Sequence, residues 1–303
     1  MNAERRSARA GLPITCGELV QGTLDDVPCL VSCPIDRYHT AQVSLTGGQG
    51  LSLLTPRRSK TRAALELAMT SWGLAGHVTV HLEGDTPVGR GYGSSTADMG
   101  AALYALAEAA DLLPDPLELA RLAVRVEPTD STLFTGLALF GHRGGSLFES
   151  LGPAPSLGIV VLDPGGCVDT VAFNRVNHHA ELRRLAAQHR EAFDLLREGV
   201  RSSNLGAIGR AATLSATAHQ GILCNPLLEP CLKWAQDVHA LGICRAHSGT
   251  LLGVLLDPRQ DVHQVLGYLA SRVPGQVAVS PCSLAGGGAM LPDETHAAAT
   301  ELR

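Results

Sequence analysis

Apolar and polar positions alternate around 30–35, 41–45 and 78–82, between turn-forming Gly, Asp and Pro, so the N-terminal part is expected to begin as sheet. Over 60–72 the period lengthens. Ala64, Leu65, Ala68, Met69 and Trp72 share one helical face, read as core, and Gly73 is a natural stop. From Ser94 the run SSTADMGAALYALAEAADLL is rich in helix formers. A further helix is announced by Asp115-Pro116-Leu117-Glu118, a capping box with proline at the first helical position, and it should end at Glu127, before Pro128. The segment 151–156, with its prolines and glycine, suits neither a strand nor a helix interior and reads as a linker. It divides the chain into 1–152 and 153–303. Beyond it the pattern predicts a buried strand at 157–163 and helices at 180–197, 202–217 and 227–241. Short strands at 243–245 and 251–256 then flank a polar turn, and a last helix covers 261–272. No internal repeat is visible, and the order of elements makes the fold α+β.

Composition narrows the function classes. The 29 acidic and 24 basic residues leave a net charge of −5, so neither nucleic acid nor an anionic membrane surface is an expected partner. With 45% apolar and 17% charged residues the chain is globular, and its 303 residues suit two domains or one large one. No apolar run approaches the roughly 18 residues of a membrane helix, and the start lacks the apolar centre of a secretory signal, so a cytoplasmic location is the default. The eight cysteines are scattered singly and read as reduced and mostly buried. Cys29 and Cys33 have no second Cys/His pair nearby, which argues against zinc.

Three segments carry chemistry. Pro87-Val88-Gly89-Arg90-Gly91-Tyr92-Gly93-Ser94-Ser95-Thr96 lies between a strand and a long helix. Its alternate glycines permit a tight fold, and Ser94 and Ser95 stand at a helix start with outward amides, so the loop is built as a phosphate cradle. It is neither a P-loop nor a Rossmann fingerprint. Glu127-Pro128-Thr129-Asp130-Ser131 sets two carboxylates three residues apart at a helix junction. A carboxylate at a helix C-terminus is poorly placed unless a cation compensates, and Mg²⁺ would do so. Asp130 is either a helix cap or the base for an alcohol proton in phosphoryl transfer. Ala246-His247-Ser248-Gly249-Thr250 is a polar turn that either lines a ligand or closes a hairpin.

In this order and spacing the segments resemble the GHMP kinases, with Pro-x-x-x-Gly-x-Gly-Ser-Ser at 87–95 as the specific match. The resemblance covers the layout of the whole chain. It implies a two-domain α+β fold, with an N-terminal domain like the second domain of ribosomal protein S5 and a ferredoxin-like C-terminal domain. Pro13-Ile14-Thr15-Cys16-Gly17-Glu18-Leu19-Val20-Gln21-Gly22, Leu30-Val31-Ser32-Cys33-Pro34-Ile35-Asp36 and the segment from Glu127 to Ser131 are similar to L-threonine kinases that supply threonine phosphate for the aminopropanol arm of cobalamin. That likeness implies ATP and Mg²⁺ as cofactors and L-threonine as acceptor, with a homodimer left open. It implies that Pro87, Gly89, Arg90, Gly91, Tyr92, Gly93, Ser94, Ser95 and Thr96 hold the nucleotide. Ser94, Ser95 and Glu127 would hold the metal, and Asp130 would orient or deprotonate the hydroxyl. Glu18, Asp36, Ser248 and Gly249 would wall the acceptor.

The sequence departs from the family at several points. Many relatives have Leu at Tyr92 and Ala or Gly at Thr96, and the lysine several carry near the start is absent, which leaves Arg90 or Arg37 to neutralise phosphate. Homoserine is the alternative acceptor, since one methyl discriminates by about 1–3 kcal/mol. A nucleotide-binding regulator without turnover is the non-enzyme alternative. A Rossmann oxidoreductase is disfavoured because Glu108 and Asp111 fall inside a helix. Of the histidines only His247 falls beside a proposed site, while His178 and His179 read as solvated. Gly286-Gly287-Gly288 reads as a tail, and Trp234 as packing.

Overall fold

The computed structural model describes residues 6–290 apart from 57, 114 and 177. Strands β1 (Arg6–Leu24) and β2 (Val27–Thr46) form a long antiparallel hairpin. The intervening Asp25 and Asp26 both have positive φ, +48° and +62°, as a two-residue turn matched to strand twist requires. β3 (Gly50–Leu53), α1 (Ser59–Ser71), β4 (His77–Glu83), α2 (Ser94–Ala109) and α3 (Pro116–Val124) follow. After a single 3-10 turn at Ser131–Leu133 come β5 (Leu137–Phe140) and β6 (Phe148–Gly152). The rest of the chain is β7 (Gly158–Asp163), α4 (Thr170–Arg175), α5 (His179–Arg184), α6 (Ala186–Arg201), α7 (Leu205–His219), α8 (Leu228–Asp237), β8 (Gly242–Arg245), β9 (Leu252–Leu256), α9 (Val262–Ala270) and β10 (Ala278–Ser283).

The strands join into one sheet, ordered β10-β7-β9-β8-β1-β2-β4-β3, with β5 on β2 and β6 on β5. From β7 onward the order of elements is strand, helices, two strands, helix, strand. All three strand contacts are antiparallel, which is the ferredoxin-like βαββαβ arrangement. Helices α6 and α7 both lie against β1, and α7 also against β8, and the largest core runs through both halves, from Leu12 and Leu103 to Phe193, Ile208 and Leu255. A second core packs Val160, Val254 and Leu269 on the ferredoxin-like half. Each such side chain contributes roughly 1.5–3 kcal/mol on burial. Among the described residues no helix is long and apolar enough to cross a membrane.

Several local expectations are corrected. The separate strands at 30–35 and 41–45 are one strand, β2, because β1 pairs along its whole length. β1 itself is buried from Ala10 to Leu24, so it shows no alternation to read. α3 starts where expected, Asp115 accepting from Leu117 N at 3.0 Å, but Glu118 turns to accept from Trp72 Nε1 at 2.7 Å and does not close a capping box. It also ends at Val124: the amides of Val126 and Glu127 both converge on Ala123 O, leaving Glu127 in a turn. Part of 151–156 belongs to β6, and the helix expected over 180–197 breaks at Leu185 into α5 and α6. The glycines at 286–288 are folded in, not a tail: Gly287 bridges Gly136, where a Cβ would lie 2.4 Å from Phe134 O.

Candidate active site

Between β4 and α2 the backbone must reverse in a confined space. Gly89, Gly91 and Gly93 have φ of +77°, +104° and +64°. A Cβ on them would lie 2.3 Å from Cys167 Sγ, 2.2 Å from Ala246 Cβ and 2.4 Å from Asp130 Oδ2. Conformation and space both demand glycine here. The loop is clamped from two sides. Thr15 N donates to Tyr92 O at 2.8 Å and Gly17 N to Gly91 O at 3.1 Å, while Thr250 N and Leu251 N both donate to Arg90 O, at 2.9 and 3.0 Å. Ala97 N is the first amide of α2 to find a helical acceptor, Gly93 O at 2.9 Å. The amides of Ser94, Ser95 and Thr96 precede it at the positive end of a 16-residue helix, a natural seat for phosphate oxygens.

Carboxylates face this seat. Ser95 Oγ donates to Glu127 Oε1, and Lys60 Nζ donates to Glu127 Oε2 at 2.5 Å. Asp130 lies over Gly93 with its amide donating to Thr96 Oγ1 at 3.1 Å. Burial, then the charge of Glu127, raise Asp130 to about 6, against the Thr96 hydroxyl, which lowers it. Glu18 is 4% exposed with Oε2 unpartnered, and burial and then Asp130 push its carboxyl well above the usual range. The cleft therefore holds one protonatable carboxyl behind another, beside a cationic amine.

The cleft brings together Glu18, Gly89, Gly91, Tyr92, Gly93, Ser94, Ser95, Thr96, Glu127, Asp130 and Ser248. It does not include Pro87, Arg90, Asp36 or Gly249. Arg90 is drawn away because Asp163 at the end of β7 accepts from its guanidinium at 2.9 Å, and the Tyr92 hydroxyl donates to the same carboxylate at 3.1 Å. Asp36 faces β10, where it accepts from Ser283 N at 3.0 Å, and Arg37 donates to Pro281 O at 3.0 Å. Gly249 sits behind the loop, where a Cβ would be 2.3 Å from the Arg90 carbonyl. Lys60, Thr15, His142 and His247 also line the cleft. Sequence reasoning placed Lys60 only at the start of a core helix; its sole signal was rarity, since the other lysine is Lys233. His142 carried no local signal.

Residues 59–138 match the family described as GHMP kinases N terminal domain. The chain is 34% identical to an L-threonine kinase of Citrobacter freundii over 270 residues, 88% of this chain and 92% of that protein. It is 33% identical to one of Salmonella typhimurium over 88% of each chain. The fold is shared with a homoserine kinase from Cytophaga hutchinsonii at a TM-score of 0.71 and 15% identity, over 94% of this chain and 97% of that one. A phosphate-ready loop at a helix start, with a carboxylate over its last glycine, is the apparatus of a phosphotransferase. The chain belongs to the GHMP kinases. Within that family, the relatives it matches over most of their length are L-threonine kinases.

Proposed function

We propose that the protein transfers the γ-phosphoryl group of ATP to the side-chain hydroxyl of L-threonine, giving O-phospho-L-threonine and ADP. The observation that carries this reading is the seating of Asp130 over Gly93, where phosphate-binding amides and a raised carboxyl meet. The threonine Oγ–P bond forms as the P–O bond to ADP breaks, and the hydroxyl proton goes to Asp130 and then to solvent. The N-terminal amides of α2 would hold the phosphates. Lys60, beside Glu127, supplies a positive charge at the same place.

The donor set suits Mg²⁺, which favours oxygen ligands, often from one or two protein groups with phosphates and water completing the shell. Ser95 Oγ and the Glu127 carboxylate already touch, and Ser94 lines the same cleft. When bound there, Mg²⁺ would spread the charge of the transferring phosphoryl group. Glu18 and Ser248 would face the acceptor. Supply of threonine phosphate to the aminopropanol arm of cobalamin, and a division of the chain into a nucleotide-bearing 1–152 and a 153–303 domain, belong to the same proposal.

The names of the relatives support threonine, whereas the homoserine kinase likeness concerns fold alone. The test is Mg²⁺-dependent ADP release across L-threonine, D-threonine, L-serine, L-homoserine, galactose and mevalonate, with the product identified by NMR. L-threonine should be preferred. Preference for homoserine would overturn the acceptor, and silence with tight ATP binding would favour a regulator.

A further inference from the structure

A second cavity of about 270 Å³ adjoins the cleft, and the rings of His142 and His247 line both spaces. Their centroids are 4.9 Å apart and the planes cross at 68°. The volume falls below the usual range for drug-sized ligands, ~300–1,000 Å³, so the cavity suits a small molecule. Phe173 and His219 form part of its wall, with the exposed Arg143 and Arg175 at its lining as well.

This chamber is tied to the reacting centre. The His142 carbonyl accepts from Thr129 N at 3.0 Å, one residue before Asp130. His142 is 3% exposed, yet neither ring nitrogen has a partner. Leaving such a group unpaired is costly, which points to a ligand that pairs with it. His247 Nδ1 lies 2.6 Å from Gln21 Oε1, and the Gln21 amide nitrogen points to Arg245 O at 3.4 Å. The Gln21 oxygen is therefore the acceptor, Nδ1 carries the proton, and the buried, unpartnered Nε2 is left as a lone-pair acceptor. Burial, followed by Arg143 and Arg245, holds His247 down to about 3; burial, then His247 and Arg143, also lower His142. Both rings are neutral at physiological pH, so they accept from a cation and do not repel it.

Unpaired imidazole acceptors and a guanidinium lining one chamber match the two ends of a zwitterion. Resting on the kinase reading above, we propose that this chamber holds the α-amino-acid head of the acceptor, its ammonium on the unpartnered nitrogens of His142 and His247 and its carboxylate on Arg143. The side-chain hydroxyl then points past the histidine pair toward Asp130.

The experiment compares L-threonine with 1-amino-2-propanol, which lacks the carboxylate, and 3-hydroxybutyrate, which lacks the ammonium, in the wild-type enzyme, Arg143→Gln and His247→Asn. Wild type should prefer L-threonine over both. Arg143→Gln should raise KM for L-threonine by about 10- to 100-fold, the scale of a charge-assisted hydrogen bond. It should leave KM for ATP and kcat near wild type and narrow the preference over 1-amino-2-propanol alone. His247→Asn should narrow the preference over 3-hydroxybutyrate alone. Tm of Arg143→Gln, read beside KM, separates loss of the carboxylate contact from loss of the fold. If wild type phosphorylates L-threonine while both variants keep its KM and preferences, the chamber assignment falls and the kinase reading stands. If wild type accepts no hydroxy amino acid, both fall.

Discussion

Asp130 carries opposite consequences for activity and for stability. With Asp130 proposed as the acceptor of the hydroxyl proton, Asp130→Ala should lower kcat by about 10²–10⁴-fold with ATP affinity retained, as steady-state kinetics and nucleotide titration would read. Its folded value of about 6 lies above the ordinary aspartate value of roughly 3.9. The ionised carboxylate therefore weighs against the fold: the penalty is absent below about pH 4, grows as pH rises to about 6, and is full above that, at roughly 2–3 kcal/mol at most. Asp130→Asn should accordingly raise the Tm of the nucleotide-free protein at pH 8 and leave it unchanged at pH 4. A variant no more stable at pH 8 would remove the penalty from the account. Glu127 differs, because Lys60 and Ser95 already hold it. Glu127→Gln should raise the Mg²⁺ concentration needed for half-maximal rate, and an unchanged titration would make it a structural partner of Lys60.

At the scale of elements, the site depends on a loop with no room for a side chain. Gly91 and Gly73 both have positive φ, +104° and +61°, but only Gly91 is also enclosed, with Ala246 Cβ 2.2 Å from where its own would stand; nothing lies within 4 Å of Gly73. Gly91→Ala should thus displace the loop from the 246–251 turn and weaken ATP binding by more than tenfold. Gly73→Ala should cost about 1 kcal/mol of stability through backbone strain and leave ATP binding unchanged. Equal nucleotide affinity in the two variants, read by titration of a fluorescent ATP analogue, would mean that the loop tolerates the shift. The same enclosure explains why Arg90 does not serve the cleft. Its carbonyl holds Thr250 and Leu251, and its side chain is spent on Asp163.

For the whole molecule, continuity of the sheet is the governing feature. β1 pairs with β2 on one side and meets β8 on the other through Glu18 and Arg245, and Leu12, Phe193 and Leu255 share one core. Elements that bury a common core lose their stability together. Scanning calorimetry of the full chain should therefore show one unfolding transition with equal calorimetric and van't Hoff enthalpies. Two separated transitions would mean that the halves fold independently. The same continuity puts Glu18 beside Asp130, because the bulges of β1 near Gly17 turn that strand across the floor of the cleft.

What the chain alone determined is whatever acts over a few residues. The face of α1, the stop at Gly73, the Asp115 cap and the glycine-rich loop before Ser94 are legible because period, turn conformation and capping are local demands. The nearness of Glu127 and Asp130 to one another is legible in the same way, since a short motif carries both, and both line the cleft. Only the tertiary structure decided the rest, since it rests on groups far apart in sequence. Lys60 reaches Glu127 across 67 positions and His247 reaches Gln21 across 226. The family resemblance implies a nucleotide contact for Arg90 and an acceptor contact for Asp36, whereas β7 and β10 bring Asp163 and Ser283 to them. No local rule ranks those partners. Which of them a charged side chain meets is settled by the order in which strands pack to bury the shared core.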